Sequence, residues 1–361
     1  MMPLYSPLAC TAAEALQTSQ PSSFAHRAKL SRAHCSRSCL YAATWNIRSL
    51  LDTEGPIETA RQRSEEKGAE DRRVDLVVRE LDRYGVKIAA LQETKWFGNA
   101  VYRVGDSVVL AAGRPTPEPD EPRQRGEGVA IVLIGLAISA WKADGECWKA
   151  WSSRLITARL RWKPSKRYTT HLHVLSCYAP TYAAKREEKD RFYDNLQLAL
   201  NEIPSNEPYI ILGDFNARVG MRPAQDVDQW DRVRGPHGLG NLNDASKEFL
   251  SFLSLNEATL CNTWFMKKNI NKCTWQHPKS NCIDYAVMRQ RDRKLCLDAT
   301  VMRGAECHTD HKLLRIKLTT DQPKPHRKIQ RGGRRYNVSK LREGKKEIPP
   351  LTAQGGDSKN I

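Results

Sequence analysis

The sequence predicts an α/β fold, and three observations carry that prediction. Short apolar runs recur along the chain at a length that suits strands buried in a sheet. Between them lie stretches with apolar residues at helical spacing. Around residues 74–93 the order is helix, glycine, strand, carboxylate, which is characteristic of α/β units.

The first strand is Cys39 to Ile47, closing near Asn46. Residues 52–73 are charged and loop-like. Val74, Val77, Val78, Leu81 and Tyr84 then mark a helix face, and Gly85 stops the helix. Val86 to Leu91 is a strand that runs into Gln92-Glu93-Thr94. The Pro- and Gly-rich segment 113–128 reads as a surface loop. Val129 to Ile134, Leu155 to Leu160 and His171 to Tyr178 read as strands. A long helix over Ala184 to Ile203 buries Phe192, Leu196, Ala199, Leu200 and Ile203. Pro208 to Leu212 is a buried strand that turns at Gly213 and presents Asp214 and Asn216, two residues apart and on one side of an extended chain. By itself that segment reads first as an Asx turn closing a strand, and only second as a site. Residues 220–243 form a long loop, after which Asn243-Asp244 caps a helix carrying Phe249, Leu250 and Leu253. Short strands are expected near Leu260–Thr263, Cys273–Trp275, Cys282–Val287, Asp298–Arg303 and Lys312–Leu318.

With 361 residues, 40% hydrophobic and 27% charged, the chain has the composition of a globular protein. The organisation expected is a disordered basic leader over 1–40, one domain over 41–318 and a disordered basic tail over 319–361. No apolar run reaches the roughly 18 residues of a membrane span, so no membrane partner is expected. The net charge is +17, with +3 on residues 1–40 and +7 on residues 321–361. A basic body with basic ends favours a polyanionic partner such as nucleic acid. The ten cysteines follow no disulfide or zinc framework, and Cys273, His277 and Cys282 are irregularly spaced for a metal.

Polar residues gather where the strands end: Asn46, Glu93, Tyr178, Asp214 with Asn216, Asp284, and Asp310-His311. One such residue is an ordinary solvated turn, but six ends across one domain are a pattern. The chemistry is coherent. Glu93 and Asp310 supply oxygen ligands for a hard cation such as Mg²⁺. Asp284 can fix the tautomer of His311. Asp214 and Asn216 can place a water. That set suits hydrolysis of a phosphate ester without a serine or cysteine nucleophile.

The segments Thr44-Trp45-Asn46, Leu91-Gln92-Glu93-Thr94, Cys177-Tyr178-Ala179-Pro180, Gly213-Asp214-Phe215-Asn216, Ile283-Asp284-Tyr285 and Thr309-Asp310-His311 resemble the ordered motifs of the endonuclease/exonuclease/phosphatase superfamily. Within it they are similar to craniofacial development protein 2-like proteins and RTE/LINE-type retrotransposon endonucleases. The resemblance covers about residues 41–318. It implies a four-layer α/β sandwich of DNase I type, with two packed β-sheets flanked by helices. It implies a metal set of Glu93, Asp310 and Asn46, binding Mg²⁺ with Mn²⁺ as a substitute. Tyr178 and His311 would contact the phosphate, Asp214 with Asn216 would act on the water, and Asp284 would brace His311. The implied activity is that of a DNA endonuclease, monomeric in its catalytic domain and nuclear. The alternatives are a catalytically inactive nucleic-acid or chromatin-binding protein, and a phosphatase acting on a phosphorylated small molecule or lipid.

Three positions depart from the family pattern. Arg48 stands where many relatives carry a carboxylate or carboxamide, Thr181 replaces an Asn, and Thr309 replaces a Ser. The segment 278–282 before Asp284 is also short.

Overall fold

Two β-sheets face each other across a shared apolar layer. The structure is a computed structural model and describes residues 39–51, 72–116, 126–165, 168–222, 229–276 and 280–319. The expected leader and tail, the charged loop after residue 51 and the start of the short segment before Asp284 lie outside the described residues, apart from the few at their edges.

The first sheet has seven strands. In chain order these are β1 (Cys39–Asn46), β2 (Val86–Gln92), β3 (Asn99–Val104), β4 (Ser107–Ala112), β5 (Val129–Ile134), β14 (Cys296–Met302) and β15 (Leu313–Thr319). Across the sheet they run β14-β15-β1-β2-β5-β4-β3. The second sheet contains β6 (Trp148–Ser152), β7 (Leu155–Ser165), β8 (Tyr168–Tyr178), β9 (Tyr209–Asp214), β10 (Ala258–Leu260) and β13 (Asp284–Arg289). Their order is β10-β13-β9-β8-β7-β6. A small hairpin of β11 (Trp275–Gln276) and β12 (Ser280–Asn281) stands apart. Only β1 with β2 and β8 with β9 pair in parallel among the described strands.

The parallel pairs are joined by helices. Helix α1 (Arg73–Arg83) buries Val74, Val77 and Leu81, and it ends where Gly85 takes a φ of +69°. Helix α2 (Leu136–Lys142) packs Ala137 and Trp141 into the layer between the sheets. Helix α3 (Arg186–Asn201) and helix α4 (Asp244–Leu255) cover the outer face of the second sheet. Asn243 caps α4 in a reciprocal pair with Ser246. The layers are therefore α1, first sheet, second sheet, then α3 and α4, as the resemblance implied. No helix among the described residues is long and apolar enough to cross a membrane.

Three local expectations need correction. The strand expected near Leu260–Thr263 stops at Leu260, and Cys261–Trp264 form a 3-10 turn whose Thr263 hydroxyl bonds back to the Leu260 carbonyl. Strands β3, β4 and β6 were not foreseen, because β3 and β6 carry too many polar positions to show a clean alternation. Asp284 and Asp310-His311 do not end strands. Asp284 opens β13, and Asp310-His311 precede β15. Both strands run antiparallel to their neighbours β9 and β1, so their beginnings reach the edge where the other motifs end.

One buried polar chain links the sheets. The Thr44 hydroxyl donates to Gln92 Oε1 at 3.1 Å, Gln92 Nε2 donates to Ser176 Oγ at 3.4 Å, and Ser176 Oγ donates to the Leu91 carbonyl at 3.2 Å. Thr44 and Gln92 belong to the first sheet and Ser176 to the second. In an apolar layer these groups satisfy one another.

Candidate active site

The C-terminal ends of β1, β2, β8 and β9 meet the starts of β13 and β15 along one edge of the two sheets. Asn46 is the last residue of β1 and is fully buried. Its side-chain amide donates to Glu93 Oε1 at 2.8 Å and to Asp214 Oδ2 at 3.0 Å. Its side-chain oxygen Oδ1 accepts the Arg48 amide at 3.0 Å. Glu93 follows β2 directly, and the Tyr178 hydroxyl donates to the same Oε1 at 3.1 Å. Asp214 ends β9 opposite Asp284 in register. Asp284 Oδ2 lies 3.1 Å from His311 Nδ1, and His311 Nε2 lies 3.9 Å from Asp214 Oδ2. Six of the eight sequence-predicted site residues thus form one linked group.

The other two sit differently. Asn216 donates its side-chain amide to the Ala179 carbonyl at 2.9 Å and its backbone amide to Asp214 Oδ1 at 2.9 Å. With a φ of +49° it leaves the extended conformation expected for it, so the segment makes an Asx turn and also delivers Asp214 to the group. Asp310 accepts from the Trp275 indole at 2.9 Å and pairs with Arg48 at 3.8 Å, rather than meeting Glu93.

Sequence reasoning missed the residues that hold this group in place. The Thr274 hydroxyl accepts the amides of Ile283 and Asp284 at 3.1 and 3.2 Å. Trp275 grips Asp310, and the Trp45 indole donates to the His311 carbonyl at 3.2 Å. The Thr309 hydroxyl donates to the Asn46 carbonyl at 2.9 Å and accepts the His311 amide at 3.2 Å. These are contacts between distant segments, and the local sequence around Thr274 and Trp275 carries no signal for them. Arg48, Glu93 and Asn216 all take a left-handed φ, at +59°, +55° and +49°. Such backbone costs about 1–2 kcal/mol for most residues, less for Asn, and gathers where function overrides local preference.

Charge is concentrated here. Burial, then the Asp284 charge, pushes Asp214 up to about 7. Burial opposes a charged His311, but the charge and hydrogen bond of Asp284, with Asp214 and Asp310 behind, raise it to about 9. At neutral pH His311 is an imidazolium between carboxylates. Burial and the Glu93 charge raise the Tyr178 phenol, so it stays protonated. Burial works to raise Asp310, but the Trp275 hydrogen bond and the His311 and Arg48 charges hold it below the usual carboxylate range.

The donor set fits a hard divalent cation. Carboxylate oxygens of Asp214 and Asp284 lie within 4.8 Å of each other and of a His311 ring nitrogen, which offers a lone pair only once the imidazolium loses a proton. Asp284 Oδ1 is buried with no hydrogen-bond partner among the described residues. The recorded hydrogen bonds to Glu93 all use Oε1, which leaves a second carboxylate oxygen for coordination.

No protein-family model matches the chain. Craniofacial development protein 2 of Tragulus javanicus and of Bos taurus are each 28% identical to it over 294 residues, 80% of the chain. The chain spans 44% and 42% of those proteins, less than half of their length. Among solved structures, the AP endonuclease LMAP from Leishmania major superposes with a TM-score of 0.50 at 12% identity, over 78% of this chain and 88% of that one. At that identity the likeness bears on the fold alone. Motifs, sequence relatives and fold point the same way: the chain is similar to craniofacial development protein 2 and has the DNase I-like fold of the AP endonucleases.

Proposed function

We propose that the protein is a divalent-metal-dependent phosphodiesterase that nicks DNA by attack of water on a backbone phosphate. The observation that carries this reading is the single group formed by Asn46, Glu93, Tyr178, Asp214, Asp284 and His311, with the imidazolium between two buried carboxylates.

Glu93, with the side-chain oxygen of Asn46, would hold Mg²⁺ or Mn²⁺, which would supply charge neutralisation for the phosphate and a more acidic water, while Asp310 stays with Trp275 and Arg48. The chain's own residues do the rest. Tyr178 keeps its proton and offers it to a phosphate oxygen as a hydrogen bond. Asp214, raised to about 7 by burial, is basic enough at neutral pH to orient the water and take its proton. Asp284 fixes His311 through Nδ1, so Nε2 points its proton toward Asp214 and the reacting region. There the imidazolium offsets the negative charge that builds on the phosphate. Asn46 keeps Glu93 and Asp214 apart at a set spacing by bonding both. A nuclear location, a monomeric catalytic domain and DNA as partner belong to the same proposal, in keeping with the net charge of +17.

The test is nicking of supercoiled plasmid by the purified chain in Mg²⁺, with and without EDTA. Asp214→Ala and His311→Ala are expected to lower the rate by at least about 100-fold. Equal nicking by the variants would remove these residues from the mechanism. One observation favours a second reading, that of a nucleic-acid or chromatin-binding protein without turnover: Asp310 is engaged by Trp275 and Arg48 rather than by the Glu93 group. Salt-sensitive DNA binding without metal-dependent cleavage would select it. Phosphate release from inositol polyphosphates without DNA cleavage would select a phosphatase instead.

A further inference from the structure

Arg48 stands beside the site with a fixed backbone and a nearly unclaimed side chain. The turn that carries it is pinned from both sides. Its own amide donates to Asn46 Oδ1 at 3.0 Å, and the Ile47 amide donates to the Gln92 carbonyl at 3.2 Å. The Ser49 amide donates to the Ile47 carbonyl at 2.7 Å, and the Leu50 amide to the Thr94 carbonyl at 3.0 Å. Within this frame Arg48 is held at a φ of +59°, so the direction in which its side chain leaves the backbone is set by the site's own hydrogen bonds.

The guanidinium is under-used. The side chain is 61% exposed, and its recorded partner is Asp310, with Nε 3.8 Å from Oδ1. That separation is beyond hydrogen-bond range. Asp310 has a closer partner in the Trp275 indole at 2.9 Å. The ion pair is therefore loose, and the planar fork of donors faces solvent. Such a fork matches two oxygens of a phosphate better than a point charge does. The location adds to this. Glu93 and Asp310 are half-buried at the edge, and Asp214, Asp284 and His311 are buried beneath it, so an arriving polyanion first meets carboxylates. Arg48 puts a positive group at that edge, two residues from Asn46.

We propose that Arg48 is a phosphate-binding residue of this site, whose guanidinium takes the non-bridging oxygens of a nucleic-acid backbone phosphate in exchange for its loose pair with Asp310. The proposal deepens the nuclease reading and rests on it. Arg48 holds the strand, and the chemistry stays with the buried group.

The test is binding of a fluorescein-labelled DNA duplex by the full chain in EDTA, read by anisotropy across a salt series. Arg48→Ala is expected to weaken binding about tenfold and to reduce the slope of log K against log[salt] by about one phosphate contact, or ~0.9. Arg48→Lys should keep the slope and recover part of the affinity, since charge remains while the fork is lost. In Mg²⁺ nicking assays Arg48→Ala should raise KM more than it lowers kcat. Urea midpoints equal to wild type show that the exposed change leaves the fold intact, and Arg48→Gln repeats the test should alanine loosen the turn. Wild-type affinity and slope in the neutral variants would overturn the proposal while leaving the nuclease reading in place. A wild-type protein that neither binds nor nicks DNA would overturn both.

Discussion

Replacing Asp284 with Asn removes one charge and keeps the shape. Asp284 raises His311 through both its charge and a 3.1 Å hydrogen bond, and it also pushes Asp214 upward. Moving a buried imidazole from 6.5 to about 9 corresponds to roughly 3 kcal/mol of preference for the charged form. The sign follows from linkage. His311 is raised in the folded state, so its contribution to stability is fully present below about 6.5 and is lost as pH rises through about 9. With Asn at 284 the opposing effect of burial prevails, and His311 should titrate below about 7. Two measurements on metal-free protein check this. NMR titration of the His311 ring should give a value near 9 in the wild type and a much lower one in the variant. Urea unfolding should show wild-type stability falling by roughly 2–3 kcal/mol more than the variant's between pH 7 and pH 9.5. The buried thiols of Cys177 and Cys307, raised chiefly by burial, oppose folding at alkaline pH in both proteins, so the difference between the two is the observable. A wild-type His311 that titrates near 6.5, or a variant with the same pH slope, would refute the reasoning.

Two further outcomes are expected. Gly213→Ala would place a β-carbon 2.3 Å from the Cys177 carbonyl oxygen, and since that is backbone of β8 the variant should lose several kcal/mol or fail to fold, as read by circular dichroism and urea melts. Wild-type stability would show that β8 and β9 can part without cost. At the far end of β8, burial holds His173 below its ordinary range against the pull of Glu207. Burial would raise Glu207, but its bonds to His171 and His173 bring it below the usual carboxylate value. Both groups are depressed on folding, so stability should decline as pH falls below about 6.5 and decline further below about 4.5. Urea midpoints at pH 7, 5.5 and 4 measure this, and His173→Gln should flatten the first step. A wild type with a level profile over that range would contradict it.

The sequence made the strand-end residues visible because each sits in a short, patterned run. Asp214 follows four apolar residues and a glycine, and Glu93 follows Val86 to Leu91. Helices α1, α3 and α4 were legible from periodicity, since each buries one face only. What stayed hidden is what depends on another part of the chain. Thr274 secures Asp284 from ten residues away, and Trp45 reaches the His311 carbonyl across 266 positions. Asn216 was read as extended, but its bond to Ala179 and its left-handed φ turn it away from that geometry. Sequence spacing does not encode such partners, because they arise only when strands from both sheets come together.

The buried chain of Thr44, Gln92 and Ser176 bears on how the site keeps its alignment. Two apolar sheet faces resist sliding only weakly, since one methyl group packs much like the next. A hydrogen-bonded pin between them makes slippage discontinuous. Shifting one sheet by a residue would strand Gln92 and Ser176 in hydrocarbon, at about 1–3 kcal/mol for each orphaned group. Gln92 adjoins Glu93, and Ser176 lies two residues before Tyr178, so the pin sits a step behind two of the residues that must meet. The rung thus acts as a detent, which tolerates repacking on either side while fixing the one alignment in which the residues of both sheets converge.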